Sequence, residues 1–331
     1  MTKPGGPEVL ELQEVPNPQI GPEEVLVEVK AAGVNRLDIL QRMGLYPAPP
    51  GSPQDIPGVE LAGTIAEVGK DVTNLSVGDR VFGIVDGGAY AAYSAVPAGL
   101  LARLPDNLSF TEGAAIPEAF ITAHDALVTQ GELVTGQSVL IHAAGSGVGT
   151  AALQIAQVLG AKVIGTVRSK NKIEPLQLLN PQAHLLVVEE TSFAKSVLEV
   201  TDGAGVNVIL ELAGGSYLEE DLRCIASKGE IIVIGLLAGS KANLDLGLLL
   251  RKRVRLRGTT LRSRPLAEKI SAVQAFKQQV VPLFETNILK AIIDRTFPLE
   301  QAAAAHQYMT GNANVGKIVL VGADTIRPPH R

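Results

Sequence analysis

The sequence predicts an α/β fold with two parts: a β-rich part, and a doubly wound parallel sheet with helices on both faces. Three observations support this prediction. Residues 1–115 hold short apolar runs separated by glycine and proline turns, as antiparallel strands do. From about residue 137, short apolar runs alternate with helical segments, which is typical of parallel sheets. A tight turn of small residues, 143–149, joins the first of those runs to a helix.

The β-rich part begins with a clear strand pattern. Val25, Val27 and Val29 alternate with more polar neighbours, so one face of this strand is expected to be buried. A turn at Gly78-Asp79 then leads into a further apolar run. These signals predict a rolled, barrel-like antiparallel sheet.

The pattern changes near residue 110. A helix start is expected at 111–115 and a helical segment at 118–130. The strands expected for the parallel sheet are 138–142, 162–167, 183–188, 206–212 and 230–236, with a helix over 148–159.

Later elements are expected to return to the β-rich part. They are a helix over 267–285, a strand over 296–299, a helix over 300–310 and a strand over 316–321. The predicted domains are therefore 1–117 together with 262–331, and 118–261. The polar tail, 323–331, is expected to lack order.

The composition narrows the class of protein. The net charge is -5, so a polyanion partner is not favoured. The basic run at 251–257 fits a strand with one solvent-exposed face, and nucleic-acid binding is not expected.

The single cysteine, Cys224, excludes an intrachain disulfide and a cysteine-rich zinc cage. Apolar runs such as 231–238 are too short to span a bilayer, so we expect no membrane partner and a cytoplasmic location.

The strongest motif is the small-residue turn between a strand and a helix. It has the context of a Rossmann phosphate-binding turn, with Ala144 and Ser146 at the first two glycine positions and Gly149 at the third. Small residues let the backbone approach a pyrophosphate, and the helix N-terminus offers free N–H groups. The residues predicted to bind the cofactor are Ala144, Gly145, Ser146, Gly147, Val148 and Gly149. The alternative is a tight turn that binds nothing.

The end of the second strand indicates which dinucleotide binds. NAD requires an acidic side chain there for its ribose hydroxyls, and residues 166–172 contain none. Arg168, Ser169 and Lys172 offer positive charge and a hydroxyl, which suit the 2′-phosphate of NADPH. The alternative is a solvated basic loop.

Two further segments follow strands of the parallel sheet, where ligands of such sheets bind. Ala213 and Gly214 follow one strand, and Gly235, Leu236 and Leu237 follow another, so all five are predicted cofactor contacts. His142 ends a buried strand and is interpreted as structural because the strand pattern buries it.

With these residues placed, the chain resembles the zinc-free quinone oxidoreductases of the medium-chain dehydrogenase/reductase superfamily, and within them the tumour-suppressor-inducible type. The resemblance covers residues 3–322. It is carried by Lys3-Pro4-Gly5-Gly6-Pro7-Glu8, Asn35-Arg36-Leu37-Asp38, Pro57-Gly58-Val59-Glu60, Ala114-Ala115-Ile116-Pro117-Glu118-Ala119, residues 142–150, Gly214-Gly215-Ser216-Tyr217, Leu261-Arg262-Ser263-Arg264 and Asn314-Val315-Gly316-Lys317-Ile318-Val319-Leu320.

The resemblance implies a GroES-like catalytic domain beside a Rossmann domain, NADPH as cofactor and a quinone as substrate. It also implies a homodimer formed through an edge of the cofactor sheet, with 230–236 or 255–260 as the candidate edge strand. The site residues that it implies are Asn35, Tyr46 and Thr122 for catalysis, with Asn314, Gly316 and Lys317 for the cofactor.

Structural alternatives stand beside these roles. Asn35 is placed to cap a helix, Tyr46 to anchor a loop, and Thr122 to bond back within its own helix. Lys317 is alternatively a charge at a strand edge.

No metal site is expected. Zinc-dependent relatives place a cysteine and a histidine where this chain has residues 33–38 and 57–60, and neither ligand type is present. The remaining acid, Glu60, is interpreted as pairing with a neighbouring cation.

The function expected from the sequence is NADPH-dependent, zinc-independent hydride transfer to a quinone-like acceptor. An NADPH-dependent enone or 2-alkenal reductase is a second hypothesis. A non-catalytic NADPH-binding redox sensor is the third. A small molecule is the expected partner in the first two cases.

Overall fold

The computed structural model describes Met1 and residues 3–188 and 191–322; the predicted tail, 323–331, lies outside the described residues. The chain forms two compact units. Unit 1 combines Met1–Ile121 with Arg262–Arg331, and unit 2 is Thr122–Leu261. Both boundaries lie close to the positions expected from the sequence.

The strands and helices follow one another along the chain in the order of their labels. The strands are β1 (Glu24–Val34), β2 (Glu60–Val68), β3 (Arg80–Ile84), β4 (Tyr93–Pro97), β5 (Leu101–Arg103), β6 (Ser138–Ile141), β7 (Lys162–Val167), β8 (His184–Val187), β9 (Val206–Glu211), β10 (Ile225–Val233), β11 (Arg255–Gly258), β12 (Ile293–Pro298) and β13 (Lys317–Val321). The helices are α1 (Arg36–Arg42), α2 (Phe110–Gly113), α3 (Pro117–His124), α4 (Gly147–Val158), α5 (Ile173–Leu179), α6 (Ala194–Val200), α7 (Tyr217–Cys224), α8 (Leu246–Lys252), α9 (Leu266–Gln279), α10 (Val281–Glu285) and α11 (Ala302–Thr310).

Unit 1 contains a seven-stranded sheet organised around β1. This strand pairs antiparallel with β2, β4 and β13, and the sheet order is β12-β13-β1-β2-β3-β5. Val25 and Val27 are fully buried, as predicted, but Leu26 between them is buried as well and Val29 is only partly buried. In β2, a Cβ on Gly63 would lie 2.1 Å from the Glu28 carbonyl oxygen, so only glycine permits this approach to β1. The expected return of the C-terminal strands to the first part is confirmed by β12 and β13.

Unit 2 contains a six-stranded parallel sheet in the order β11-β10-β9-β6-β7-β8. All five strands predicted for it are present; 162–167 has the predicted bounds, and the ends of the other four are shifted. One edge strand of this sheet is β11, which pairs with β10, and its four residues are all exposed. Residues 230–236 are therefore the wrong candidate for an edge, because β11 covers β10.

Two predicted helices are each divided. The segment expected as one helix over 267–285 forms α9 and α10, because Val280 interrupts it and Pro282 can donate no N–H to continue the first helix. The segment expected over 118–130 forms α3 followed by a π-helix at Asp125–Gln130. In the part of the chain that the structure describes, no helix combines the length and apolar character needed to cross a bilayer.

Candidate cofactor and active site

The small-residue turn of unit 2 has the geometry of an anion-binding helix start. Ser146 is the N-cap of α4, and its hydroxyl accepts a hydrogen bond of 3.0 Å from the Gly149 N–H. Ala143 has φ 47°, so the chain reverses sharply between β6 and α4. A Cβ on Gly149 would lie 2.4 Å from the Ala143 carbonyl oxygen. The third glycine position of the motif therefore requires glycine.

The basic residues predicted for NADPH lie beyond the end of β7. The Lys172 side chain lies over Gly145, where a Cβ would be 2.9 Å from Lys172 Cδ. Arg168 and Ser169 are exposed, and the Ser169 hydroxyl donates to the Asn171 side-chain oxygen at 2.6 Å. The structure thus brings Lys172 to the small-residue turn, with Arg168 and Ser169 in the loop that precedes Lys172.

The two predicted loops after β9 and β10 lie side by side. Glu211, the last residue of β9, accepts hydrogen bonds from the N–H groups of Ala213 and Gly214. Leu237 N–H donates to the Leu212 carbonyl at 3.2 Å. Gly214 also forms a parallel bridge with residue 239. Leu236 and Leu237 are exposed, and Gly235 packs against Leu212. All the predicted contacts of these two loops therefore occupy one place at the carboxyl end of the sheet.

In unit 1, Asn35, Glu60 and Lys317 form a buried polar cluster. Lys317 Nζ donates to Glu60 Oε1 and Asn35 Oδ1, both at 2.6 Å, and to the Val34 carbonyl at 3.1 Å. Asn35 Nδ2 donates to Glu60 Oε1 at 2.7 Å. The interpretation of Glu60 as one half of an ion pair is confirmed.

The Lys317 side chain differs from both of its sequence interpretations. It is 4% exposed and is not a strand-edge charge. An ammonium has three N–H donors, and all three are used inside unit 1, so contact with a cofactor would fall to its backbone. Asn314 Nδ2 likewise donates to the Gly316 carbonyl at 2.8 Å. Asn35 stands at the N-cap of α1, but its side chain binds Glu60 and Lys317.

Glu118, at the start of α3, also belongs to this cluster and was missed by the sequence analysis. Its N–H donates to Glu60 Oε2 at 2.8 Å. Burial, and then the negative charge of Glu60, raise the pKa of the Glu118 carboxyl to about 8. An acid in the first turn of a helix is ordinary, so the sequence held no signal of this role.

Tyr46 lies partly exposed beside a buried arginine. The Arg262 guanidinium carbon is 5.8 Å from the Tyr46 ring centroid. Arg262 Nη2 donates to Gln41 Oε1 and to the Asp86 carbonyl, both at 2.6 Å. Lys269 Nζ completes this network through the Asp86 carboxylate at 2.5 Å. These contacts fix the position of the guanidinium that faces Tyr46.

Thr122, near the end of α3, has a buried hydroxyl oxygen without a hydrogen-bond partner in residues 3–188 and 191–322. The alternative in which Thr122 bonds back within its own helix is therefore wrong. A buried polar atom without a partner is rare in proteins, so this hydroxyl is a candidate contact for a bound ligand. The π-helix that follows α3 is a feature found frequently at functional sites.

Comparison with known proteins agrees with both units. Residues 21–106 match the alcohol dehydrogenase GroES-like domain family, and residues 147–282 match the family described as zinc-binding dehydrogenase. A quinone oxidoreductase of Pseudomonas aeruginosa is 34% identical over 96% of this chain and 97% of its own length.

Solved structures give the same fold. The Escherichia coli quinone oxidoreductase complexed with NADPH has a TM-score of 0.84 and 30% identity, covering 96% of this chain and 98% of its own. The JamJ enoyl reductase has a TM-score of 0.87 and 28% identity, covering 97% and 98%.

A GroES-like domain joined to a Rossmann-like parallel sheet defines a medium-chain dehydrogenase/reductase. Within that superfamily, the chain belongs to the quinone oxidoreductase family. It is an oxidoreductase, and its family includes members with bound NADPH.

Proposed function

We propose that the protein is an NADPH-dependent, zinc-independent quinone oxidoreductase. The observation that carries the proposal is the phosphate turn at Ser146–Gly149 with the Lys172 side chain lying over it. NADPH supplies the hydride. The overall reaction is quinone + NADPH + H⁺ → hydroquinone + NADP⁺, and the protein has to hold the two reactants together and exclude water.

Zinc independence is supported by the donor set of unit 1. Where zinc-dependent relatives bind the metal, the Lys317 ammonium lies 2.6 Å from both Glu60 Oε1 and Asn35 Oδ1. A divalent cation there would meet a buried positive charge. The residues therefore do not fit a catalytic zinc, which needs three ligands of the right type.

The test is NADPH oxidation measured with 1,2-naphthoquinone, with an enone and without acceptor. Preferred turnover of the quinone supports the proposal. Saturable NADPH binding with no turnover on a broad acceptor panel would instead support a non-catalytic redox sensor.

The basic loop provides a second test of the cofactor. The double variant Arg168→Ala/Lys172→Ala is expected to raise the Kd for NADPH by about 10- to 100-fold, as loss of one or two charge-assisted contacts does. The Kd for NADH should change little, because NADH lacks the 2′-phosphate. Both dissociation constants are measured by titration, with the fluorescence of the reduced nicotinamide or with calorimetry as the signal. Lys170→Ala, which removes a neighbouring exposed charge, is the control, and equal losses for NADPH and NADH would contradict this role.

A second candidate is enone reduction, which Glu118 favours. Reduction of an enone places a proton on carbon, whereas a hydroquinone takes its proton readily from water. Because the pKa of Glu118 is raised to about 8, this carboxyl keeps its proton at neutral pH and suits the role of general acid.

The variant Glu118→Gln separates the two candidates. If enones are substrates, kcat for an enone should fall about 100-fold, as expected for loss of a general acid, while kcat for a quinone changes little. In the unmodified protein, enone turnover should fall as pH rises through about 8, because the acid form is lost. The exposed Glu23→Gln is the control. Unchanged enone turnover in Glu118→Gln would remove Glu118 from the reaction.

The same proposal includes a cytoplasmic location and a homodimer formed through β11. This exposed strand edge carries Leu256, an exposed apolar side chain, beside Arg255 and Arg257, which pair with Glu230. A monomer mass at micromolar concentration in sedimentation equilibrium would overturn the dimer.

A further inference from the structure

A fully buried group of three titratable side chains lies in unit 2, beneath the predicted cofactor loops. His142 follows β6, Glu211 ends β9 and Asp221 belongs to α7. All three are 0% exposed, and their potential ligand atoms lie within 4.8 Å of one another. The proposed hydride transfer does not use any of them.

His142 is held as a neutral ring with both nitrogens occupied. Its Nδ1 lies 2.9 Å from Thr166 Oγ1 and its Nε2 lies 2.8 Å from Asp221 Oδ1. The rings of Phe193 and Tyr217 contact it edge-on, with centroids at 4.8 and 5.0 Å. Burial lowers the pKa of His142 to about 4, so Nε2–H donates to Asp221 and Nδ1 accepts from Thr166.

The two carboxyls of this group cannot both be ionised without a large loss of free energy. Burial raises the pKa of Glu211 to about 8 and that of Asp221 to about 7. The outer oxygens Glu211 Oε2 and Asp221 Oδ2 are buried and have no hydrogen-bond partner among the described residues, so one proton shared between the two carboxyls would satisfy both. The pair therefore keeps one proton near neutral pH, and this proton belongs to both carboxyls together.

The charged and titratable groups around Glu211 and Asp221 do not neutralise the second negative charge that full ionisation of the pair would create. On α7, the Glu220 carboxylate adds negative charge, and burial raises the pKa of the Tyr217 hydroxyl and the Cys224 thiol. From α8, the Lys252 ammonium is bonded to the carbonyls of 223 and 225. The positive charge of Arg168, which follows β7, lowers the pKa of the Tyr217 hydroxyl, but burial raises it by more. His142 Nε2 lies 2.8 Å from Asp221 Oδ1 and 3.7 Å from Glu211 Oε2, but the neutral ring brings no positive charge to the pair.

Glu211 connects this group to the two predicted cofactor loops. Its Oε1 accepts from the N–H groups of Ala213 and Gly214. Its backbone carbonyl accepts from the N–H groups of Ile234 and Gly235 at 2.8 and 3.3 Å. The orientation of one carboxyl therefore fixes the backbone on which the proposed cofactor contacts lie.

We propose that Asp221 is a positioning residue: by sharing one proton with Glu211, it holds the Glu211 carboxyl against the loop at Ala213–Gly214, so that this loop is ordered for NADPH. The inference rests on the proposed function, because it requires the cofactor to contact that loop. Loss of the proton leaves two adjacent buried charges, and their repulsion displaces Glu211 from the loop amides.

The expected result is an NADPH affinity that depends on pH through this pair. The proton-bound form binds NADPH, so affinity is full below about pH 7 and is lost as pH rises. At pH 9, about a tenth of the molecules would keep a proton whose pKa is about 8. The Kd for NADPH should then be about tenfold higher at pH 9 than at pH 6.5.

The variant Asp221→Asn tests this directly. Its amide can accept from His142 and donate to an ionised Glu211, so no shared proton is required. Its Kd for NADPH should match that of the unmodified protein at pH 6.5 and stay constant up to pH 9. Glu211→Gln keeps the Oε1 acceptor and can donate to Asp221, so its Kd for NADPH should also stay constant with pH. This variant replaces Asp221→Asn in the test if Asp221→Asn does not fold. Glu219→Gln, an exposed acid on α7, should keep the full pH dependence.

Three outcomes would overturn the inference. One is a pH dependence that is the same in Asp221→Asn and in the unmodified protein. Another is a lower melting temperature of Asp221→Asn with an unchanged pH profile, which would mean a structural role alone. The third is stoichiometric zinc in the purified protein that Asp221→Asn lacks, which would replace the shared proton by a metal. Absence of NADPH binding at every pH would instead be a failure of the proposed function.

Discussion

Gly149→Ala is expected to raise the Kd for NADPH by about 100-fold, through overpacking at the phosphate turn that amounts to about 3 kcal/mol. The added Cβ would lie 2.4 Å from the Ala143 carbonyl oxygen and 2.7 Å from the Ala144 Cα. Both are backbone atoms, so the clash is relieved only if the turn moves. That movement also breaks the bond between Ser146 Oγ and the N–H of residue 149, which fixes the first turn of α4.

A fluorescence titration with NADPH measures this loss, and a thermal melt shows whether the variant is folded. Gly258→Ala is the matched control, because a Cβ at Gly258 meets nothing within 4 Å and the residue lies in the same sheet. A folded Gly149→Ala that binds NADPH as tightly as the control would show that the cofactor phosphates do not rest on this turn.

Lys317→Met is expected to lower the free energy of unfolding by about 3–5 kcal/mol, the range seen when one partner of a buried ion pair is removed. Methionine fills a similar volume, so the effect arises from the charge left on Glu60. That carboxylate is 0% exposed, and among the described residues it would retain the Asn35 amide and the Glu118 N–H as its donors.

Urea unfolding at neutral pH measures the effect. Lys70→Met, which removes an exposed lysine from unit 1, should change the stability by less than about 0.5 kcal/mol. The double variant Glu60→Gln/Lys317→Met should recover part of the loss, because no unpaired charge remains. A Lys317→Met protein as stable as Lys70→Met would show that the ion pair contributes nothing to the fold.

The parts of the fold that the sequence predicted well are those set by local patterns. The alternation of Val25, Val27 and Val29 identified β1, although burial in the strand does not follow the alternation because Leu26 is buried too. The same strand continues to Val34, and this extension could not be predicted, since Ala31 to Val34 are buried on both faces and show no alternation. The division between α9 and α10 was missed because the apolar spacing continues through Val280.

The residues of the candidate site also fall into two groups: those set by a local pattern, which the sequence predicted, and those set by distant contacts, which it did not. The phosphate turn is local, so its small residues and its strand and helix were readable from the sequence. The pair of Glu60 and Lys317 joins residues 257 positions apart, and no local pattern predicts such a contact. Glu118 was missed for the same reason, because its raised pKa comes from burial next to Glu60. The family resemblance predicted Asn35 and Tyr46 as site residues, but it did not predict the side chains that contact them.

The pairing of β1 with β13 sets an order of events during synthesis of the chain. Ala31 lies opposite Val321, so the central strand of unit 1 gains this neighbour only after residue 321 has been synthesised. Every strand of the unit 2 sheet, by contrast, has emerged by residue 258. The parallel sheet can therefore be complete while the sheet of unit 1 still lacks β13, although β1 can already pair with β2 and β4.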